Sequence, residues 1–136
     1  ENGVIMISAV GNEGFISYRK NKIYYSAGYD EVIGVGSANA VGEVSYFSQR
    51  NKSVFVIANG EKVKALNTDG TERLVSGTSF SAAYIAGLAA KVQAESTEKF
   101  REYLKSNAID KGTVGFDNSY GFGLIEKDNL LKEDLK

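Results

Sequence analysis

The chain has 136 residues, 43% of them hydrophobic, 24% charged and 11% aromatic, a composition that predicts one globular domain with its own core and argues against disorder. Sixteen Lys and Arg against 17 Asp and Glu leave a net charge of −1, so no strong field draws nucleic acid or an anionic membrane. The sequence contains no Cys and no His, which excludes disulfides and thiol catalysis and removes both the side chain best suited to move protons near neutral pH and the commonest metal ligand.

The sequence also contains no Pro, where an average usage of about 5% predicts roughly 7. Its longest weakly charged apolar stretch, residues 80–90, falls short of the roughly 20 residues that span a bilayer, so a soluble chain is expected. It opens at Glu1, without a basic leader and a few residues ahead of a buried-looking strand. That opening reads as a cut end.

Residues 4–10 form a continuous apolar run that ends in Gly11-Asn12-Glu13-Gly14. Such runs predict strands covered on both faces of a parallel sheet. Residues 32–36 and 53–58 repeat the pattern, the latter ahead of Asn59-Gly60. Residues 62–66 and 72–75 alternate polar and apolar side chains around a turn that contains Asp69-Gly70, predicting an exposed hairpin.

From Ser79 to about Glu95 the pattern turns helical. Phe80, Tyr84, Leu88 and Val92 recur at i+4, and small residues fill most of the other positions. A helix small or apolar on nearly every face belongs inside a domain. Ser96 or Thr97 caps a second, surface helix through Asn107, with Glu98 in its first turn and Phe100, Tyr103 and Leu104 on one side. Residues 112–122 are turn-rich, 123–125 read as a short extended piece, and 128–134 as a last frayed turn or two. Strands followed by two helices indicate an α/β layered architecture, in which ligands bind beyond the carboxyl ends of the strands.

Two loops there carry chemistry. Ser79 stands where a helix begins, so its hydroxyl lies near unpaired backbone N–H groups and the positive end of the helix dipole, a setting that stabilises an oxyanion. The alternative is that Thr78 or Ser79 merely caps the helix. The amide of Asn12 follows a buried strand and can donate to a developing negative charge. Its alternative role is a local Asx turn ahead of Gly14.

Together the loops carry a resemblance. Ser8-Ala9-Val10-Gly11-Asn12-Glu13-Gly14 resembles the oxyanion-hole segment of the subtilisin-like serine proteases (subtilases, peptidase family S8), and Ser76-Gly77-Thr78-Ser79-Phe80-Ser81-Ala82 resembles their nucleophile segment. Residues 25–27, 32–38, 44–48 and 56–60 follow the family's order and approximate spacing, and residues 120–125 resemble its C-terminal signature. The resemblance covers essentially the whole chain. It implies a three-layer subtilisin-like α/β fold with a mainly parallel sheet, of which residues 1–136 form the C-terminal part. It also implies that Ser79 is the acylated nucleophile, that the Asn12 amide and the Ser79 backbone N–H form the oxyanion hole, and that Ala9 and Gly11 line the pocket for the substrate side chain preceding the scissile bond. The motif places the nucleophile at Ser79 rather than at Ser81.

The family runs Asp, His, Ser along its chain, and the first two precede the region covered here. Carboxylates such as Asp30 or Asp69, with an ordinary pKa near 4, make poor bases for serine. The resemblance therefore implies a serine endopeptidase whose Asp and His lie upstream, with this chain inactive by itself. Ala83 replaces a usual Pro, Tyr84 a usual His, and Ser26 and Asn59 usual prolines, which keeps open a catalytically inactive relative that binds a peptide or partner protein. Partners expected are a peptide or protein substrate and the upstream part of the same domain, or a dimer formed through surface that this part leaves exposed. No cofactor or metal is expected, because the carboxylates do not cluster, although family members often bind calcium. The compartment is open, with secretion or surface attachment compatible with the resemblance.

Overall fold

The computed structural model describes residues 3–19 and 21–126. Its elements are β1 (Ile7–Ala9), β2 (Ile33–Ala38), β3 (Val56–Asn59), β4 (Val63–Leu66), β5 (Glu72–Val75), α1 (Thr78–Lys91), α2 (Thr97–Asn107) and β6 (Leu124–Ile125). Four strands form one sheet in the order β1-β2-β3-β6, with each neighbouring pair parallel.

The strand period of two divides the buried side chains between the sheet's faces. Ile33, Val35, Val56, Ala58 and Ile125 pack with Ile85 and Leu88 of α1 and Phe100 and Leu104 of α2. Ala38, Ile57 and Leu124 join Val10, Ala27 and Val54 in a second cluster, against which Val44, Ile109 and Tyr120 pack. Helices, parallel sheet and irregular segments therefore make the three layers of an α/β fold.

Strand β2 is buried throughout, as its apolar run predicts. Strand β1 differs. It spans Ile7–Ala9 rather than residues 4–10, is half-buried, and leaves Val4 and Met6 exposed. The reason is position: among the described residues it pairs with β2 alone and forms an edge of the sheet.

Helix α1 starts one residue before the predicted Ser79 and stops at Lys91, short of Glu95. At its end Gln93 takes φ +50°, its N–H donates to Ala90 O at 3.2 Å, and the Ala94 N–H donates to Ala89 O at 3.0 Å. This pair of bonds makes a Schellman stop. With Gln rather than Gly in the left-handed position, the sequence carries no stop signal. The buried residues of α1 are Thr78, Ser81, Ile85 and Leu88, and Tyr84 and Val92 of the i+4 series pack half-buried against the same core. Ala83, Ala86, Gly87 and Ala90 are exposed, so within the described residues α1 is covered on one side rather than all round.

Helix α2 is capped as expected, with Ser96 Oγ accepting from the Lys99 N–H at 3.2 Å. The hairpin also matches, with β4 and β5 antiparallel from Val63↔Val75 to Leu66↔Glu72. The turns expected at 128–134 lie outside the described residues.

Candidate active site

The loop after β1 and the start of α1 meet although they are far apart in sequence. Asn12 Oδ1 accepts hydrogen bonds from the Thr78 N–H and the Thr78 hydroxyl, both at 2.8 Å. The Thr78 oxygen in turn accepts from the Gly11 N–H at 3.3 Å. These bonds assign Asn12 a long-range partner in place of a local Asx turn. They also correct the capping alternative, because the N-cap is Gly77, which has no side-chain bond to offer. The first-turn N–H of Thr78, which lacks a partner within its own helix, receives one from across the site.

Gly77 has φ +155°, in the range where a side chain is strained. Its N–H donates to Gly60 O at 2.8 Å, and its carbonyl accepts from the Phe80 N–H at 3.1 Å. A Cβ there would stand 3.5 Å from Asn12 Nδ2. With its oxygen held by Thr78, the Asn12 amide turns its N–H₂ toward this side of the site, where donation to an incoming oxyanion is the chemistry it can perform.

Ser79, the second residue of α1, is exposed. Its hydroxyl stands at the positive end of the helix with water access, as a nucleophile requires. Ser81 is fully buried, and its oxygen touches the position a Cβ on Gly60 would take. Burial removes Ser81 from any reaction with substrate.

Ala9 and Gly11 are half-buried beside this site. Gly11 takes φ +113°, and a Cβ there would lie 2.9 Å from Tyr24 Cδ2 and 3.1 Å from Gln49 Cγ. The Gln49 N–H donates to Gly11 O at 3.1 Å, and Ser8 Oγ lies 2.8 Å from Ser26 Oγ. The segment 24–26 therefore runs alongside the end of β1.

Glu13 is tied down. Arg19 Nη1 donates to both carboxylate oxygens, at 3.0 and 2.9 Å, and the Tyr24 hydroxyl donates to Oε2. The Tyr24 hydroxyl above all, and then Arg19, hold the Glu13 carboxyl below its ordinary value, and the same bond to Glu13 pushes the Tyr24 phenol up. Lys22 Nζ lies 4.9 Å from the Tyr24 ring centre. Nothing periodic marks these residues in the sequence, because they sit on a loop and meet only through its path.

On the other side of Asn12 and Gly77 a cavity of about 310 Å³ opens, lined also by Phe15, Tyr46, Phe47, Glu61 and Ser76. The Phe15 and Tyr46 ring centres lie 5.9 Å apart, and those of Tyr46 and Phe47 lie 5.3 Å apart. Sequence reasoning missed these rings as site residues. Exposed aromatics on loops carry no pattern until the fold gathers them. Asp69, in the β4–β5 turn, is occupied by the Thr71 hydroxyl and N–H, which lower its pKa. Among the described residues no three His, Cys, Asp or Glu side chains gather where a metal ion could be held.

The sequence profile described as the Subtilase family matches residues 1–123. This chain belongs to the subtilase family. It is 33% identical over 109 residues to the major intracellular serine protease of Bacillus subtilis (strain 168), covering 80% of this chain and 34% of that protein. It is 31% identical over 130 residues to the minor extracellular protease Epr of the same organism, covering 93% and 20%, and 32% identical over 128 residues to subtilisin DY of Bacillus licheniformis, covering 91% and 45%. The chain thus spans less than half the length of each of these subtilases. A crystal structure of a lanthipeptide protease superposes with a TM-score of 0.78 at 25% identity, covering 96% of this chain and 50% of that one. Those names include an intracellular and an extracellular protease, so subtilase kinship leaves the compartment open. No helix among the described residues is long and apolar enough to cross a membrane.

Proposed function

We propose that this chain is the nucleophile-bearing, C-terminal part of a serine endopeptidase that hydrolyses peptide bonds through an acyl-enzyme on Ser79. The observation that carries the reading is the pair of 2.8 Å bonds from Thr78 to Asn12 Oδ1, which ties an amide donor to the residue next to an exposed serine. Ser79 Oγ attacks the scissile carbonyl, and its proton passes to a base. The Asn12 Nδ2–H and the Ser79 backbone N–H hold the resulting oxyanion, while Ala9 and Gly11 flank the side chain that precedes the scissile bond. The adduct collapses, the C–N bond breaks, and the amine leaves with the proton that the base returns; water then attacks the ester, giving up a proton to the base, and the acyl group leaves as a carboxylic acid while the Ser79 hydroxyl is restored.

The base must come from elsewhere in the complete protein, because this chain contains no His. An upstream segment carrying Asp and His supplies it, and the open edge of β1 and the exposed side of α1 are the surfaces that segment covers. By itself the chain is inactive, since the triad acts as a unit. Dimerisation through the same surfaces is the alternative occupancy. A second reading, a binding-only relative, is favoured by Ala83 and Tyr84 beside the nucleophile.

Intact-mass analysis after treatment with a fluorophosphonate tests the proposal. One adduct is expected on the complete protein, lost with Ser79→Ala and not formed on this chain alone. A folded complete protein without an adduct sinks the protease reading in favour of binding. Asn12→Asp, which keeps the acceptor for Thr78 but removes the donor, is expected to cut turnover about 10²- to 10³-fold, a magnitude taken from subtilisin itself, a member of this family.

A further inference from the structure

We propose, on the reading of Ser79 as the nucleophile and Asn12 as the oxyanion donor, that Gly60 is a positioning residue. Its bare α-carbon lets the start of α1 close onto the end of β3, and that close approach sets Ser79 against Asn12.

The start of α1 is held at two places. On one side Asn12 Oδ1 accepts from the Thr78 N–H and hydroxyl at 2.8 Å. On the other, the Gly77 N–H donates to Gly60 O at 2.8 Å, and the Gly60 N–H donates to Ala38 O, at the end of β2, at 3.0 Å. Gly60 thus links the N-cap of α1 to an interior strand that pairs with both β1 and β3. Ser79 lies two residues beyond Gly77, so its hydroxyl and backbone N–H move with this anchor.

Gly60 is buried and does not take a positive φ. What demands glycine there is space. A Cβ would stand 2.3 Å from Ser81 Oγ, 2.4 Å from Ser37 Oγ and 2.8 Å from the Gly77 carbonyl oxygen, where an ordinary contact for a carbon is roughly 3.5 Å. Ser37 belongs to the fully buried β2, and its Oγ lies 2.8 Å from Ser45 Oγ. Ser81 is fully buried, and the Gly77 oxygen is main chain and cannot rotate away. Two of the three neighbours belong to the start of α1 and one to the middle of the sheet. A strand bonded on both sides yields less readily than a helix end whose first N–H groups have no partner in their own helix. A methyl on Gly60 therefore lifts the start of α1 by about half an ångström or more. Thr78 and Ser79 rise with it, while Asn12 stays on the loop after β1.

Ser81 supplies an independent handle. Its Oγ has no hydrogen-bond partner among the described residues, so Ser81→Ala removes an oxygen without breaking a bond. That oxygen occupies the space a side chain on Gly60 would need.

The test uses the complete protein. Gly60→Ala is expected to lower kcat toward a peptide substrate about 10- to 100-fold with KM little changed, as a small misplacement of reacting groups does. It is also expected to speed amide hydrogen exchange across residues 76–80 while α2 keeps its protection. Ser81→Ala alone is expected to leave kcat at the parental level. Gly60→Ala with Ser81→Ala should recover part of the lost turnover, and adding Ser37→Ala most of it, because the hydroxyl oxygens that crowd the methyl are gone. Lost stability alone predicts the opposite order, since Ser37→Ala strips the Ser45 hydroxyl of its partner. Parental kcat in a folded Gly60→Ala protein, or a triple variant no faster than Gly60→Ala, overturns the proposal. Should Gly60→Ala not fold, the triple variant is expected to fold and turn over, and its failure to do so counts equally against it. A parent protein that takes no fluorophosphonate adduct and cleaves no peptide sinks the protease reading instead. Hydrogen exchange then still decides the role of Gly60. Faster exchange across residues 76–80 in Gly60→Ala, slowed again in the triple variant, supports it, and exchange unchanged by Gly60→Ala overturns it.

Discussion

Asn12 and Thr78, 66 positions apart, share two hydrogen bonds of 2.8 Å that converge on one oxygen, Asn12 Oδ1. The Thr78 oxygen closes the unit by accepting from the Gly11 N–H. Three groups at the junction of the β1 loop and α1 thus satisfy one another, and Thr78 is fully buried while doing so. A buried hydroxyl used as both donor and acceptor leaves two partners short when it is removed.

Thr78→Val keeps the shape of the side chain and deletes the hydroxyl. It is expected to destabilise the complete protein by about 1–3 kcal/mol, the cost of leaving buried polar groups unpaired. Thr78→Ser should recover most of that loss. Urea denaturation at constant slope reads both, and equal midpoints for Thr78→Val and Thr78 would show that the junction does not depend on the hydroxyl.

The Glu13–Tyr24 pair makes stability depend on pH at both extremes. Glu13 is held below its ordinary value of 4.5, first by the Tyr24 hydroxyl and then by Arg19, so its contribution is fully present above about 4.5 and is lost as pH falls through the lowered folded value. Tyr24 is raised above its ordinary 10.0 by the bond to Glu13. Its contribution is therefore present below about 10 and disappears as pH climbs through the raised value. The Tm difference between the Glu13 protein and Glu13→Gln is expected to be level across the neutral range and to shrink at both ends. A difference that does not change with pH would contradict the linkage.

Arg101 fastens α2 to the turn ahead of β2. Its Nη2 donates to Asp30 O at 2.5 Å and to Val32 O at 3.2 Å, and its guanidinium lies 5.3 Å from the Phe55 ring centre. Arg101→Leu is expected to cost about 1–3 kcal/mol, since two carbonyls lose a charged donor. Arg101→Lys should recover less than half, because an ammonium has no planar face to lay against the Phe55 ring while it donates to the two carbonyls. Chemical denaturation of the three proteins checks the order, and a Lys variant as stable as the Arg protein would show that the planar guanidinium is not needed.

The strongest local signals in the sequence belong to features whose cause is also local. The β4–β5 hairpin follows from alternation around Asp69-Gly70, and α2 from Ser96 and the Phe100–Leu104 spacing. Both lie where the pattern places them. The end of α1 does not, because Gln93 adopts a left-handed conformation that Gly would have announced. The face of α1 was equally hidden. Small residues fill the positions around the i+4 series, so the spacing does not single out one face, and packing against the sheet selected Thr78, Ser81, Ile85 and Leu88.

By itself, then, the sequence determined the α/β class, the order of the elements, the subtilase motifs at Asn12 and Ser79, and the absence of any His, because each depends on residue type and short spacing. Tertiary structure decided the rest. It gave Asn12 a partner in Thr78, exposed Ser79 while burying Ser81, left β1 at a sheet edge, and set Tyr24 on Gly11 with Glu13 and Arg19 behind it. These are contacts between loops without a repeating pattern, and only the path of the folded backbone brings such residues within hydrogen-bonding distance.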